Sequence, residues 1–527
     1  MKPAATPKEE AGGGHALYAL LVTALLPLGV LFVLRAFDVP LGKPGKFIYR
    51  YSPLAVLRLA ALPPALALGA VLAGGLWLLL RDRRVYRLLG GIALAGATLV
   101  LGSWIFTAPP QFRSQTFFNM LSPSHDGAFV IEAGYARRVG VRQYLRAFPQ
   151  RTRTPPAEMK GTRVISNPPG ATLLAVAVAE WLESSPALAG AVFRLVGEPD
   201  LSPKDRGRAT FAMGYALALL ICWLLAAPLL YCIGRLLLPP APAAAFMVVC
   251  LVTPATLMFA PGKDPAQLLT VCACLYLWLL GWRRERPWAA AAAGAAAAGA
   301  CLVSLVHVWI ALVTLGATLL ATPPAGRRRV VRGLLLALGG FLAAAGALWL
   351  AADCNLPATA WAAARAQASV TRGPDAMPLA WQTLGVPLFL LFCGPGVLFP
   401  LAWVASGGAR WGFADGGTPP PDALPDATQR RLGGWLIVLA AGVMVATVGF
   451  TNVETPRLWI PFVPLLVLGA LLRLPALARP TRAAATLLVA LVFLQVAASA
   501  AQWSLMDARE AEFRLLLDAT HAPRMFR

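Results

Sequence analysis

"VISNPPGATLLAVAVAEW", residues 164–181, decides how this chain is threaded. The stretch is apolar, yet from Gly170 to Trp181 it runs for only about twelve residues, where a bilayer crossing takes about twenty. Read as a full span, it would put the basic runs "RRER" (283–286) and "RRRVVR" (327–332) on the outer face. Read as a half-embedded helix that starts and finishes outside, it leaves them inside, together with "RDRR" (81–84), Arg235, Arg430, Arg431 and the segment from Arg473 to Arg482. Cytoplasmic loops collect Lys and Arg, so length and charge favour the same threading, with the amino terminus inside.

Composition says what kind of chain this is. Of 527 residues, 58% are hydrophobic and 13% charged, against about 25% charged in a soluble chain. The net charge of +22 would suit a nucleic-acid partner only if the basic residues clustered on a soluble face. They stand instead in short runs beside apolar stretches, which excludes that class. Seven of the eight cysteines lie in or beside apolar runs and only Cys354 falls in an outer loop. No disulfide pair or metal box is readable.

The expected fold is an all-α polytopic membrane protein with about thirteen transmembrane helices. They fall near 16–36, 53–80, 87–107, 209–235, 240–259, 265–282, 288–304, 306–322, 333–352, 382–405, 433–450, 459–476 and 483–503. Residues 1–86 form an extra amino-terminal pair, 87–482 a core with a large external first loop at 108–208, and 483–527 the last helix and an external tail. The first span is too long for a signal peptide. The inner loop 407–432, with "GGTPPPDALPD", reads as flexible.

Polar sequence gathers on the outer face. "SPSHDG" (122–127) is rich in turn formers, and Asp126 there suits a turn before a helix. From Ala128 to Phe148 a helical pattern follows, with Val141, Tyr144, Leu145 and Phe148 on one stripe and Arg138, Arg142 and Arg146 on another. Such a basic amphipathic helix lies along a membrane surface near lipid phosphates. In "SNPPG" each proline fixes its own φ and restricts the residue before it, so the helix after Gly170 starts at a defined point. The other outer segments are "APGKDPAQ" (260–267), the turn at "LVHVW" (305–309), the loop 353–381 and "TNVETPRLW" (451–459).

In this order, with this sidedness, these segments resemble the GT-C superfamily of membrane glycosyltransferases, above all the branch of protein O-mannosyltransferases and lipid A aminoarabinose transferases. The resemblance covers roughly 90–480. It implies a polyprenyl-phosphate-linked sugar as donor and a catalytic acid in the first external loop, where Asp126 of "SHDGAFVIEA" is the match. The family often closes that loop with His-Pro-Pro; Asn167 stands here in place of the histidine. "FAPGKDPAQLL" matches the second acidic position at Asp264, and Glu454, Arg457 and Trp459 match a late Gly-Glu-x-x-Arg-x-Trp segment in which Val453 replaces the glycine.

The chemistry has use for these residue types. An acceptor hydroxyl loses its proton as it attacks, so a carboxylate within reach is the natural general base; Asp126 is the first candidate. The departing lipid phosphate wants cations or donors, and Lys263, His307, Arg457, Arg138 and Arg142 are candidates to hold it. His307 is an ionisable group at or near membrane depth, which points to a role; the alternative is a hydrogen-bonded structural histidine. Glu454 and Arg457, three apart, suit a local helical pair. His125, Glu132, Asn167, Asp264, Glu454 and Trp459 are candidate substrate-binding or structural positions. Hard cations take carboxylates, which makes Asp126 and Asp264, with His125, candidate ligands of a divalent metal ion; no other cofactor is indicated.

The reading is therefore a transferase at the outer face of a bacterial cytoplasmic membrane, its acceptor a lipid, a glycan or a protein. The bacterial address follows from richness in alanine, arginine and proline, which indicates a GC-rich genome. A lipid or sugar flippase or transporter is the rival class. It would show internal repeats and ionisable groups near the midplane, whereas here the polar residues favour one face.

Overall fold

The computed structural model describes residues 7–39, 41–43, 47–51, 62–80, 84–107, 120–121, 125–154, 163–196, 202–372, 383–406, 426–450, 454–474 and 482–507. The start of the second expected span (53–61), the loop segments 108–119 and 155–162, most of the inner loop (407–425) and the tail 508–527 lie outside the described residues.

The chain is helical almost throughout. In order come α1 (Pro7–Ala36), α2 (Leu62–Leu79), α3 (Arg84–Thr107), α4 (Gly127–Val139), α5 (Val141–Arg151), α6 (Gly170–Ser184), α7 (Pro186–Val196) and α8 (Pro203–Leu237). Next are α9 (Pro240–Leu251), α10 (Pro254–Phe259), α11 (Lys263–Ala266), α12 (Leu268–Arg284), α13 (Pro287–Val303), α14 (Val306–Ala321), α15 (Arg327–Ala352) and α16 (Leu356–Arg372). The last are α17 (Gly385–Leu391), α18 (Pro395–Ala405), α19 (Asp426–Thr447), α20 (Thr455–Leu458), α21 (Val463–Arg473) and α22 (Arg482–Leu505). Prolines open α8, α9, α10 and α13 within their first two positions, where a missing N–H costs nothing.

Three short antiparallel strands qualify the all-α expectation: β1 (Leu41–Lys43), β2 (Phe47–Tyr51) and β3 (Met506–Asp507), in the order β1-β2-β3. Leu41 faces Tyr49 and Arg50 faces Asp507. "FIYRY" is dense in strand formers, a preference the search for long apolar runs passes over. The helices this sheet joins also touch: α22 packs on α1 and α2, so the last described helix lies against the first two.

Among the described residues seven helices are long and apolar enough to cross a membrane, or eight if the bent pair α17–α18, with 114° between its halves, is one span. This is a membrane protein by that measure. Helix α6 has 15 residues and at 1.5 Å per residue is roughly 22 Å long, short of a bilayer core of about 30 Å. It packs on α4, α8 and α13. An added Cβ at Gly170 would stand 2.5 Å from the Leu302 carbonyl oxygen, so this helix start needs glycine to lie against the end of α13.

The amphipathic helix expected from Ala128 to Phe148 is two helices. Gly140 takes φ 87°, a conformation glycine adopts without strain, and the chain turns there. Tyr144, Leu145 and Phe148 are buried on the α5 face that the pattern assigned inward, and Arg142 and Arg146 are exposed. The turn brings Arg151 onto Glu132 through two 3.0 Å hydrogen bonds. The Arg151 guanidinium also lies 4.2 Å from the centre of the Tyr135 ring. Glu132, a candidate substrate contact, thus holds the two loop helices together.

Two helices are broken inside the core, and the last helix closes both gaps. The α9–α10 break leaves the Val252 carbonyl without a helical partner, and the α17–α18 bend leaves the Gly396 N–H; in a bilayer such groups have no water to turn to. Gln495 Nε2 donates to Val252 O (2.6 Å) while its Oε1 accepts from Gly396 N–H (2.6 Å). Ser499 Oγ donates to Val252 O (2.9 Å) and Gln502 Nε2 to Leu391 O (3.0 Å). These residues, at i, i+4 and i+7, share one face of α22. Gln495→Leu is expected to lower thermal stability in detergent by about 1–3 kcal/mol for each buried group left unpaired. A melting temperature equal to wild type would show that the breaks do not depend on α22.

Candidate active site

Asp126 occupies the position just before α4, yet its side chain makes no capping hydrogen bond there. It reaches outward in sequence instead. Oδ1 accepts from Arg163 Nη2 at 2.7 Å and Oδ2 from the backbone N–H of Lys263 at 2.7 Å. The carboxylate therefore caps α11, across 137 positions of chain, where the first N–H groups of a helix lack internal partners. Glycine at 262 suits the approach, since an added Cβ there would lie 3.2 Å from Asp126 Oδ2 and crowd the Phe259 carbonyl.

Around this contact three segments far apart in the sequence converge. Lys263 Nζ donates to Asn167 Oδ1, and Asn167 Nδ2 donates to the Arg163 carbonyl at 2.8 Å. Asn167 therefore does more than shape the Pro-Pro turn: it ties the close of the first loop to Lys263. Asp264 stands among three cations, with Arg457 Nε at 3.1 Å, Lys263 Nζ at 3.7 Å and Arg163 Nη1 at 3.8 Å. Gln267 Nε2 also reaches it at 3.5 Å. Arg457 pairs in turn with Glu454. Asp126, Lys263, Asp264 and Gln267 are each at most 5% exposed. Three acids alternate with three cations, so the cluster has no net formal charge.

Burial would raise the Asp126 carboxyl above the ordinary aspartate value, but Arg163, the Lys263 N–H and the charges of Lys263 and Arg457 outweigh it and hold the group below that value. Asp126 is ionised at neutral pH. A carboxylate offers about four lone-pair positions, of which these hydrogen bonds use two.

The remaining candidates fall elsewhere or are already engaged. Both ring nitrogens of His307 have protein partners at 2.8 Å, Nδ1 with the Ser304 carbonyl and Nε2 with Thr270 Oγ1, which is the structural alternative rather than a phosphate contact. Trp459 is buried with its ring edge-on to Phe389. Arg138 is exposed in the last turn of α4. Arg142 forms an exposed pair with Asp353 at 2.7 Å, which raises the arginine and lowers the aspartate from their usual values. Arg142→Ala is expected to leave thermal stability and phosphate affinity unchanged at 150 mM salt, because exposed pairs are screened. A clear loss of phosphate affinity would return Arg142 to the site.

The expected divalent ion does not fit. Among the described residues no three His, Cys, Asp or Glu side chains gather as ligands. The Arg163 guanidinium contacts both Asp126 and Asp264, and Lys263 Nζ stands 3.7 Å from Asp264, so fixed positive charge lies between the two carboxylates. His125, the third candidate ligand, is half-buried beside Asp126.

Sequence reasoning missed Arg163, Gln267 and Tyr215. Arg163 stands just ahead of the Pro-Pro turn without motif or spacing to mark it, and Gln267 looks like the polar edge of a span. Tyr215 lies inside a span but is fully buried in one cluster with Ala128, Phe129 and Ala266, next in line to the site residues of α4 and α11. No protein-family model matches the chain, and no curated protein or solved structure matches it either.

Proposed function

We propose that the chain is a GT-C-type glycosyltransferase that moves a sugar from a polyprenyl-phosphate carrier to a lipid, glycan or protein acceptor. The observation behind this reading is the convergence of Asp126, Asn167, Lys263, Asp264, Glu454 and Arg457, from three segments separated by whole spans, into one buried cluster. Asp126 is the general base, ionised and with lone pairs that its two hydrogen bonds leave unused, to which an acceptor hydroxyl would donate. Lys263, Arg163 and Arg457 stabilise charge on the phosphate as the glycosidic bond breaks. On this reading the thirteen apolar stretches are spans or broken spans, α6 is half-embedded, and the cluster faces the outer side of a cytoplasmic membrane. The test is transfer of labelled sugar from a polyprenyl-phosphate donor by purified protein in nanodiscs, wild type against Asp126→Asn. Equal transfer by both would remove Asp126 as base.

One observation favours the rival transporter reading, namely the two broken helices in the core, a device of transport sites. Their free backbone groups are taken by Gln495, Ser499 and Gln502 rather than left open to an ion. Movement of intact donor across a vesicle bilayer, without transfer, would support that reading.

A further inference from the structure

Buried polar atoms that lack partners mark what an incoming ligand must supply, because a native chain rarely leaves such groups unpaired. Among such donors in the described residues are the Tyr215 hydroxyl and Arg163 Nε, the latter on the guanidinium that holds Asp126. The one unpaired acceptor nearby is Gln267 Oε1. Tyr215 is fully buried on α8, which packs against both α4 and α11. The hydroxyl is within electrostatic reach of Asp126, Arg163 and Asp264. Neither carboxylate takes its proton: Asp126 accepts from Arg163 and the Lys263 N–H, and Asp264 is taken up by its cations.

We infer that Tyr215 is a substrate-contacting residue, its hydroxyl donating, together with Arg163 Nε, to an oxygen of the bound lipid phosphate. The inference rests on the functional reading above and adds to it the way an oxyanion is recognised by a cluster with no net charge. Opposite charges already cancel among Asp126, Asp264, Glu454, Arg163, Lys263 and Arg457, so attraction cannot come from an excess of cations. It comes from directed, desolvated donors, which are worth more in a dry site than in water. Donors outnumber acceptors among the unpaired atoms, which selects a phosphate oxygen over an ammonium group.

The test is binding of farnesyl phosphate, a short polyprenyl phosphate, to the full-length protein in detergent, followed by tryptophan fluorescence. Farnesol serves as the arm without phosphate and a short-chain phosphatidic acid as the arm with a bilayer headgroup. Tyr215→Phe keeps the ring and removes only the hydroxyl. It is expected to bind farnesyl phosphate about tenfold more weakly, the weight of one good hydrogen bond to a charged oxygen, with farnesol binding and the ligand-free melting temperature unchanged. Wild-type affinity in the variant would overturn the inference and leave the transferase reading standing. So would a ligand-free melting temperature several degrees lower, since the hydroxyl would then have a structural partner. No preference of wild type for farnesyl phosphate over farnesol would overturn both. Equal weakening towards farnesyl phosphate and phosphatidic acid would keep Tyr215 at a phosphate and remove the carrier from the functional reading.

Discussion

Asp126→Asn is expected to reduce sugar transfer by about 10²–10⁴-fold, the usual weight of a positioned general base, and Asp126→Ala to destabilise the fold as well. The second effect follows from what Asp126 touches. Its partner Arg163 has 13% side-chain exposure, and removing one member of a buried pair leaves an uncompensated charge, at a cost of about 3–5 kcal/mol. The Lys263 N–H at the start of α11 would lose its acceptor too. Asparagine keeps the volume and one acceptor oxygen but turns an amide towards the guanidinium, so it should fall between wild type and alanine in melting temperature.

The pH dependence separates the two roles of Asp126. Its folded-state pKa is depressed, so the stabilisation is fully present above the unfolded aspartate value of about 3.9. It is lost as pH falls through the folded value. Wild type should therefore lose stability below about pH 4 by more than Asp126→Asn does, while the gap between them stays constant from pH 6 to 8. Thermal unfolding across pH measures this. A gap that does not narrow in acid would mean that the ionised carboxylate contributes nothing to the fold.

The sequence showed the helices more readily than the site. Apolar runs of twenty residues have few other conformations open to them in a bilayer, and a helix lies over each of the thirteen stretches. What pattern could not show was where helices break. Gly140 and the gap before Thr253 depend on single backbone conformations, and the sheet depends on pairing between residues more than four hundred positions apart. Asp126, Lys263, Asp264, Glu454 and Arg457, which the structure brings together, stood out as rare charges on one counted face and, all but Lys263, as matches to the GT-C pattern. Arg163 did not, since it lies in a polar loop where one more arginine carries no signal. His307 and Arg142, counted on the same face, are engaged with other partners: His307 with Ser304 and Thr270, the structural alternative open from the sequence, and Arg142 with Asp353.

Gly294→Leu is expected to have the largest effect on folding of any substitution outside the site. Helix α13 is mostly alanine and glycine, and between apolar helices in a bilayer it is close backbone approach, not burial from water, that gives packing energy. The approach is reciprocal. An added Cβ at Gly294 would fall inside the Ala337 carbonyl of α15, and one at Gly340 of α15 inside the Ala291 carbonyl of α13. Because the obstacle at each point is backbone, no side chain can rotate away, and the two helices must separate. Overpacking a core commonly costs about 1–3 kcal/mol when neighbours can shift; here the whole crossing shifts, and the cost should exceed that range. Because α13 also packs on α6 and α12, the strain reaches the Gly170 contact with Leu302 and through it the loop that carries Asn167 and Arg163. Gly299, with open space where a Cβ would go, is the control on the same helix. Gly294→Leu should fail to give monodisperse protein in detergent while Gly299→Leu matches wild type, and equal yield and melting temperature for the two would mean that α13 and α15 do not cross at these glycines.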